Sequence, residues 1–158
     1  MDTLNIDEYF SEIRQLLFSA GIRDQLLQAS DRIKSVKEHG GKLLLFGNGG
    51  SAGIVAHAAV DFTKQANVNA QTYHEPAFVT ALANDIGYDK WVEVAVKKFA
   101  KKEDLAIFVS VSGASPNLVN GCLACQAMGI DFLTFTGTQI DNKLYDLDPC
   151  GFFVDSKS

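Results

Sequence analysis

Two short segments carry the residue types that could grip a ligand. Gly47-Asn48-Gly49-Gly50-Ser51-Ala52-Gly53 combines glycines with an amide and a hydroxyl. Ser110-Val111-Ser112-Gly113-Ala114-Ser115-Pro116-Asn117 repeats the theme with three serines. Glycine lets a backbone come close to a bound group, and the N–H groups and dipole at a helix start favour an anion. Neither segment contains Lys or Arg. The chemistry they suit is therefore capture of a phosphate by hydroxyl and backbone N–H donors. Helix capping explains Ser115, ahead of Pro116 in a first helical turn. It does not explain Ser110 and Ser112 beside it.

The elements around these segments must bring them together. Lys42 to Phe46 is a short apolar run that ends at Gly47 and reads as a buried strand. Similar runs follow at Ala77 to Leu82, Leu105 to Val111 and Phe132 to Thr136, with a weaker one at Gly151 to Val154. Helical spacing marks Glu8 to Phe18, Ile22 to Glu38, Ser51 to Lys64, Asp89 to Lys101 and Pro116 to Met128, with a short stretch at Lys143 to Leu147. Buried strands alternating with helices make right-handed βαβ units. The expected fold is an α/β, doubly wound, five-stranded parallel sheet preceded by two helices. Parallel neighbours would place both ligand segments at one carboxyl edge of that sheet.

Other readings of the glycine segment are weaker. Gly47-x-Gly49-x-x-Ala52 satisfies a dinucleotide fingerprint, but the acidic residue expected about 20 positions on is missing from Ala66-Asn67-Val68-Asn69. That argues against a nicotinamide oxidoreductase and a nucleotide cofactor. No Lys-Ser/Thr pair follows the glycines, so a P-loop is excluded. Cys122-Leu-Ala-Cys125 lacks a second pair or a nearby histidine for a zinc ribbon. Among Leu118, Val119, Leu123 and Met128, these cysteines read as small apolar residues on a helix. Trp91 and Phe99 read as core, and His39 and His74 as helix-end and loop residues.

Composition sets the outer bounds. With 14 Lys and Arg against 19 Asp and Glu, the 158 residues carry a net charge of −5 and suit one domain. Residues 1–40 form its leading helices and 41–158 its sandwich. A chain 47% hydrophobic and 21% charged can bury a core. It offers no basic footprint for nucleic acid or an anionic membrane. No apolar run approaches the ~20 residues of a membrane span, and the acidic start from Met1 to Glu8 is unlike a signal peptide. A cytoplasmic setting is expected. The sequence stops at Ser158, four residues past the last predicted strand. The expectation is that a partner covers that edge or that the domain continues.

Gly47-Asn48-Gly49-Gly50-Ser51, Asn84-Asp85-Ile86-Gly87-Tyr88 and Ser110-Val111-Ser112-Gly113-Ala114-Ser115, in this order, resemble the SIS (sugar isomerase) domain family. Within it the chain is most similar to the phosphoheptose (sedoheptulose 7-phosphate) isomerase branch, over nearly its whole length. The resemblance implies a flavodoxin-like SIS fold. It also implies that Asn48, Gly49, Gly50, Ser110, Val111, Ser112 and Ser115 hold a sugar phosphate, with Ser51 nearby and Asn84 and Asp85 reaching the sugar hydroxyls.

Ketose–aldose interconversion moves a proton between neighbouring carbons through an enediol, with a general acid or base at each end or a metal on the carbonyl. His57 and Asp61 stand four apart on the helix after the first loop, so they share a face. At about 1.5 Å per residue, His57 lies roughly 9 Å and Asp61 roughly 15 Å along the axis from Ser51. In the resembling isomerases the position of His57 is a zinc ligand. The position of Asp61 there is a glutamate, both ligand and catalytic acid/base. Asp61 is one methylene shorter, and the family's remaining ligands, a glutamine and a histidine, lie on a carboxyl-terminal helix that this sequence does not reach. The resemblance further implies zinc and a homotetramer with sites between subunits. Two functions follow: a phosphosugar isomerase, acting on sedoheptulose 7-phosphate to supply surface polysaccharide, or a non-catalytic SIS module that binds phosphosugar or assembles with protein.

Overall fold

The computed structural model describes residues 5–18, 20–138, 140–148 and 150–154. Helix α1 (Ile6–Leu17) and helix α2 (Ala20–Glu38) lead into strand β1 (Leu43–Gly47) and helix α3 (Gly50–Lys64). Strand β2 (Ala70–Thr72), helix α4 (Pro76–Ile86), a 3-10 turn (Tyr88–Lys90) and helix α5 (Trp91–Phe99) follow. Strand β3 (Leu105–Ser110), helix α6 (Pro116–Met128), strand β4 (Asp131–Gly137), helix α7 (Lys143–Leu147) and strand β5 (Phe152–Val154) are the remaining elements among the described residues. The strands form one parallel sheet in the order β2-β1-β3-β4-β5.

Alternation along the strands builds a core on each face. Leu43 and Leu45 of β1, with Leu105 and Ile107 of β3, meet Ala29 and Val36 of α2 and Val55 and Ala59 of α3. Leu44 and Phe46, with Ala106 and Phe108, face Trp91, Val92 and Val96 of α5 and Leu118 and Cys122 of α6. Fully burying each large side chain contributes about 1.5–3 kcal/mol. Cys122 and Cys125 are buried, as their apolar setting predicts. Burial pushes both thiols up, Cys125 to about 12, so both stay protonated at neutral pH.

The sheet has the expected five strands, but one is not where the apolar runs place it. Ala77 to Leu82 belongs to α4. A short apolar run does not separate a strand from a buried helix turn, and local chemistry decides here. Pro116-like placement recurs: Pro76 sits in the first turn, and the Glu75 carboxylate accepts the Phe78 N–H at 2.9 Å as the cap. Phe78, Val79 and Leu82 pack on the core from that helix. The missing strand is Ala70–Thr72, which the sequence hides because it is three residues long and two of them, Gln71 and Thr72, are polar. Its register with β1 pairs Leu43 with Ala70 and Leu45 with Thr72.

Trp91 is core, at 1% exposure, but Phe99 is exposed, against its reading as core. Its ring stacks on Tyr73 at 4.7 Å on the rim of the cluster. Helix α1 contributes no buried residue and exposes Ile6, Tyr9, Phe10 and Leu17. The segment past β5, on which the expectation of an uncovered edge rests, lies outside the described residues. No helix among the described residues is long and apolar enough to cross a membrane.

Candidate functional site

Strand order reverses between β1 and β3, and in such sheets ligands bind at the carboxyl ends of the strands beside that switch. Both ligand segments sit there. Gly47 pairs in register with Val109, so the turn into α3 and the turn into α6 leave the sheet side by side. Gly47 is required: a Cβ there would lie 2.7 Å from the Ser51 backbone, where α3 folds back on its own strand. Between the turns opens a cleft of about 570 Å3 lined by Asn48, Gly50, Ser51, Ser110, Ser112 and Ser115, with Val111 alongside. Ile54, Val109 and Thr138 complete the wall.

Among the described residues, no charged side chain lines this cleft. Its donors come from the starts of α3 and α6 and from hydroxyls. In the first turn, the earliest backbone bond runs from Ser51 N–H to the Asn48 carbonyl at 2.9 Å, so the N–H groups of Gly49 and Gly50 precede the helical ladder. In the second, Ser110 Oγ accepts the Gly113 N–H at 3.2 Å and Ser112 Oγ accepts the Ala114 N–H at 3.3 Å. A hydroxyl that accepts from the backbone keeps its own hydrogen for another oxygen. Ser115 stands at the N-cap of α6, yet its side chain makes no capping bond. It lies 3.4 Å from Ser110 Oγ instead. Capping therefore does not account for Ser115. Gly113 anchors the turn at φ +60, where an added Cβ would meet Asn142 Oδ1 at 2.0 Å.

Three braces hold the first turn. Asn48 Nδ2 donates to Asn117 Oδ1 and Asn117 Nδ2 donates to Asn48 Oδ1, both at 2.9 Å. The Tyr88 hydroxyl donates to the same Asn48 Oδ1 at 2.9 Å. His74 Nε2 donates to the Gly47 carbonyl at 2.8 Å, and its ring stands edge-on to Trp91. His74 is thus a support of the site, where the sequence reads only a loop residue. Asn117 and Tyr88 end two of the sequence motifs, but their shared contact with Asn48 depends on tertiary packing. Thr138 had no sequence signal. It lines the cleft with φ +62, a left-handed conformation uncommon for a β-branched residue.

The remaining predicted residues lie outside the cleft. Gly49 is exposed in the turn at φ +52. Asn84 and Asp85 end α4, both exposed, with Asn84 Nδ2 donating to Asp85 Oδ1 at 2.9 Å. His57 and Asp61 share one face of α3, with Nε2 and Oδ2 3.5 Å apart and side chains 80% and 46% exposed. Gln65 Nε2 donates to the other Asp61 oxygen at 3.0 Å. The 3.5 Å separation suits two corners of a zinc tetrahedron, whose edge is about 3.3 Å for bonds of about 2.0–2.1 Å. They supply two donors of four. No group of three or more His, Cys, Asp or Glu converges among the described residues.

The model of the SIS domain family matches residues 8–137. The chain is 32% identical over 126 residues to the phosphoheptose isomerase of Desulfovibrio desulfuricans, covering 76% of this chain and 60% of that one. It is 28% identical over 147 residues to that of Syntrophotalea carbinolica, covering 88% and 75%. The chain spans about two thirds of the length of the curated relatives it matches. Its fold is that of a solved phosphoheptose isomerase from Francisella tularensis, with TM-score 0.84 at 22% identity over 97% of this chain and 85% of that one. The two donor-rich turns at the β1–β3 switch and the match over 8–137 agree: the chain belongs to the SIS domain family, and its similar relatives are phosphoheptose isomerases.

Proposed function

We propose that the protein is a phosphosugar isomerase that interconverts a ketose phosphate and an aldose phosphate, with sedoheptulose 7-phosphate as the substrate. The observation that carries this reading is the uncharged, hydroxyl-lined cleft at the start of α3, with His57 and Asp61 farther along the same helix. The phosphate would lie against the N–H groups of Gly49 and Gly50 and the hydroxyls of Ser51, Ser110, Ser112 and Ser115. The sugar would then extend along α3, and Asn84 and Asp85 would reach its hydroxyls once the chain that carries them closes on the site. His57 and Asp61 would move the proton between the first two carbons, one giving and one taking it as the enediol forms and collapses. Zinc, held by these two and by two donors from elsewhere, would polarise the carbonyl.

A homotetramer is part of the proposal. His57 lies between exposed Ile54 and Val60 on α3, and α1 presents exposed Ile6, Phe10 and Leu17. Such apolar surface calls for a partner, and a second copy would cover His57 and exclude water. The free thiols fit a cytoplasmic setting.

The exposure of the His57–Asp61 pair favours a second reading, a phosphosugar-binding or assembly module without catalysis. Sedoheptulose 7-phosphate turnover, followed with and without added zinc, separates the two. Isomer formation that is lost in both His57→Ala and Asp61→Ala supports the enzyme. Tight binding without turnover supports the module. Turnover that survives both substitutions overturns the assigned chemistry.

A further inference from the structure

Asn48 is the residue through which three separate elements meet. Its side-chain oxygen accepts two hydrogen bonds, from Asn117 Nδ2 and from the Tyr88 hydroxyl, each at 2.9 Å. Its nitrogen gives one hydrogen to Asn117 Oδ1 at 2.9 Å. A carbonyl oxygen has two lone pairs and an amide nitrogen has two hydrogens. The oxygen is therefore fully engaged, and the one group of this amide that the clamp does not use is the second N–H. Asn48 lines the cleft. Asn117, at 1% exposure, is fixed in the first turn of α6, and Tyr88 opens the 3-10 turn before α5. Neither lines the cleft itself, and both reach it only through Asn48.

We propose that Asn117 and Tyr88 are positioning residues that lock the Asn48 amide so that it offers the cleft a donor and never an acceptor, selecting an anionic or oxygen-rich ligand. The inference rests on the sugar-phosphate reading of the cleft and adds to it the device that sets its polarity. Without the clamp the amide rotates freely about its last bond. Its carbonyl then turns toward a bound oxyanion in part of the population, and repulsion replaces attraction. The clamp also ties the first turn to the second, so that both are held at one spacing.

The test is a double-mutant cycle read by calorimetric titration of sedoheptulose 7-phosphate and, separately, inorganic phosphate. Asn117→Ala removes both amide bonds and is expected to weaken binding about 10- to 30-fold, from the usual worth of hydrogen bonds. Tyr88→Phe, at an exposed side chain, keeps the fold and is expected to cost about three- to fivefold. Asn48→Ala alone weakens binding, and adding Asn117→Ala or Tyr88→Phe to it changes affinity less than twofold, because both act only through Asn48. Effects that simply multiply would overturn the proposal. Should the wild type bind neither probe, the sugar-phosphate reading fails, and the clamp is still decided by the Asn48 side-chain N–H resonances. Slow exchange of these protons with solvent that is lost in Asn117→Ala supports it; exchange and chemical shifts unaltered by that substitution refute it.

Discussion

The two ends of α3 are built differently. Its first turn is held by Asn117, Tyr88 and His74 and faces an uncharged cleft that one chain assembles by itself. Two turns on, the same helix carries His57 and Asp61 into open solvent, with Gln65 as a further neighbour. In the proposed reading, grip on an anion belongs to the sheet edge, where β1 and β3 end. Proton transfer needs a drier setting, which α3 alone does not provide. Binding and chemistry should therefore come apart under substitution.

The largest effect is expected from His57→Ala, which should lower kcat by about 10²- to 10⁴-fold. Affinity for inorganic phosphate, measured by titration, should stay within about twofold. A matching loss of affinity would erase the contrast between the two ends. Next comes Ser112→Asp, which puts a carboxylate in the cleft opposite an anionic ligand. Like-charge contact costs several kcal/mol, so sugar-phosphate binding should weaken by about 100-fold or more, with the melting temperature of the free protein little changed. Gly113→Ala should act on the fold rather than the chemistry. Its φ of +60 and the 2.0 Å approach of Asn142 Oδ1 predict a loss of about 1–3 kcal/mol in urea denaturation.

The smallest effect concerns pH, and it belongs to neither end of α3. No titratable side chain lines the cleft among the described residues, but Asp148 is buried near β4 and accepts the Thr134 N–H at 2.8 Å. Burial pushes this carboxyl above its ordinary 3.8. The folded state then holds the proton longer than the unfolded chain does. Stability should fall as pH climbs from about 3.8 through the raised value, and level off above it. Asp148→Asn should flatten that decline in urea midpoints measured at pH 4 and pH 7, leaving ligand affinity unaltered.

Much of this was legible in the sequence because backbone requirements leave marks. Gly47, Gly113 and the serines beside them announce a tight turn at a strand end whatever surrounds it. The alternating apolar residues of β1 and β3 announce a sheet buried on both faces. Legibility ended where neighbours decide. Ala77 to Leu82 reads as a strand until Glu75 caps it as a helix, and Ala70–Thr72 becomes a strand only by pairing with Leu43 and Leu45. The Asn48–Asn117–Tyr88 contact joins residues 69 and 40 positions apart, which no local pattern encodes. His57 and Asp61 show a shared face, but a second surface is what would give them a solvent-free setting.

The border strands β2 and β5 are three residues each, while the interior strands run to five, six and seven. A foreign strand laid along the β2 border would find only a stub of backbone to bind, too short to hold it in register. Self-association by sheet extension at β2 is thereby discouraged, and crowding of this chain with itself along that border is steered toward contacts made by helix faces.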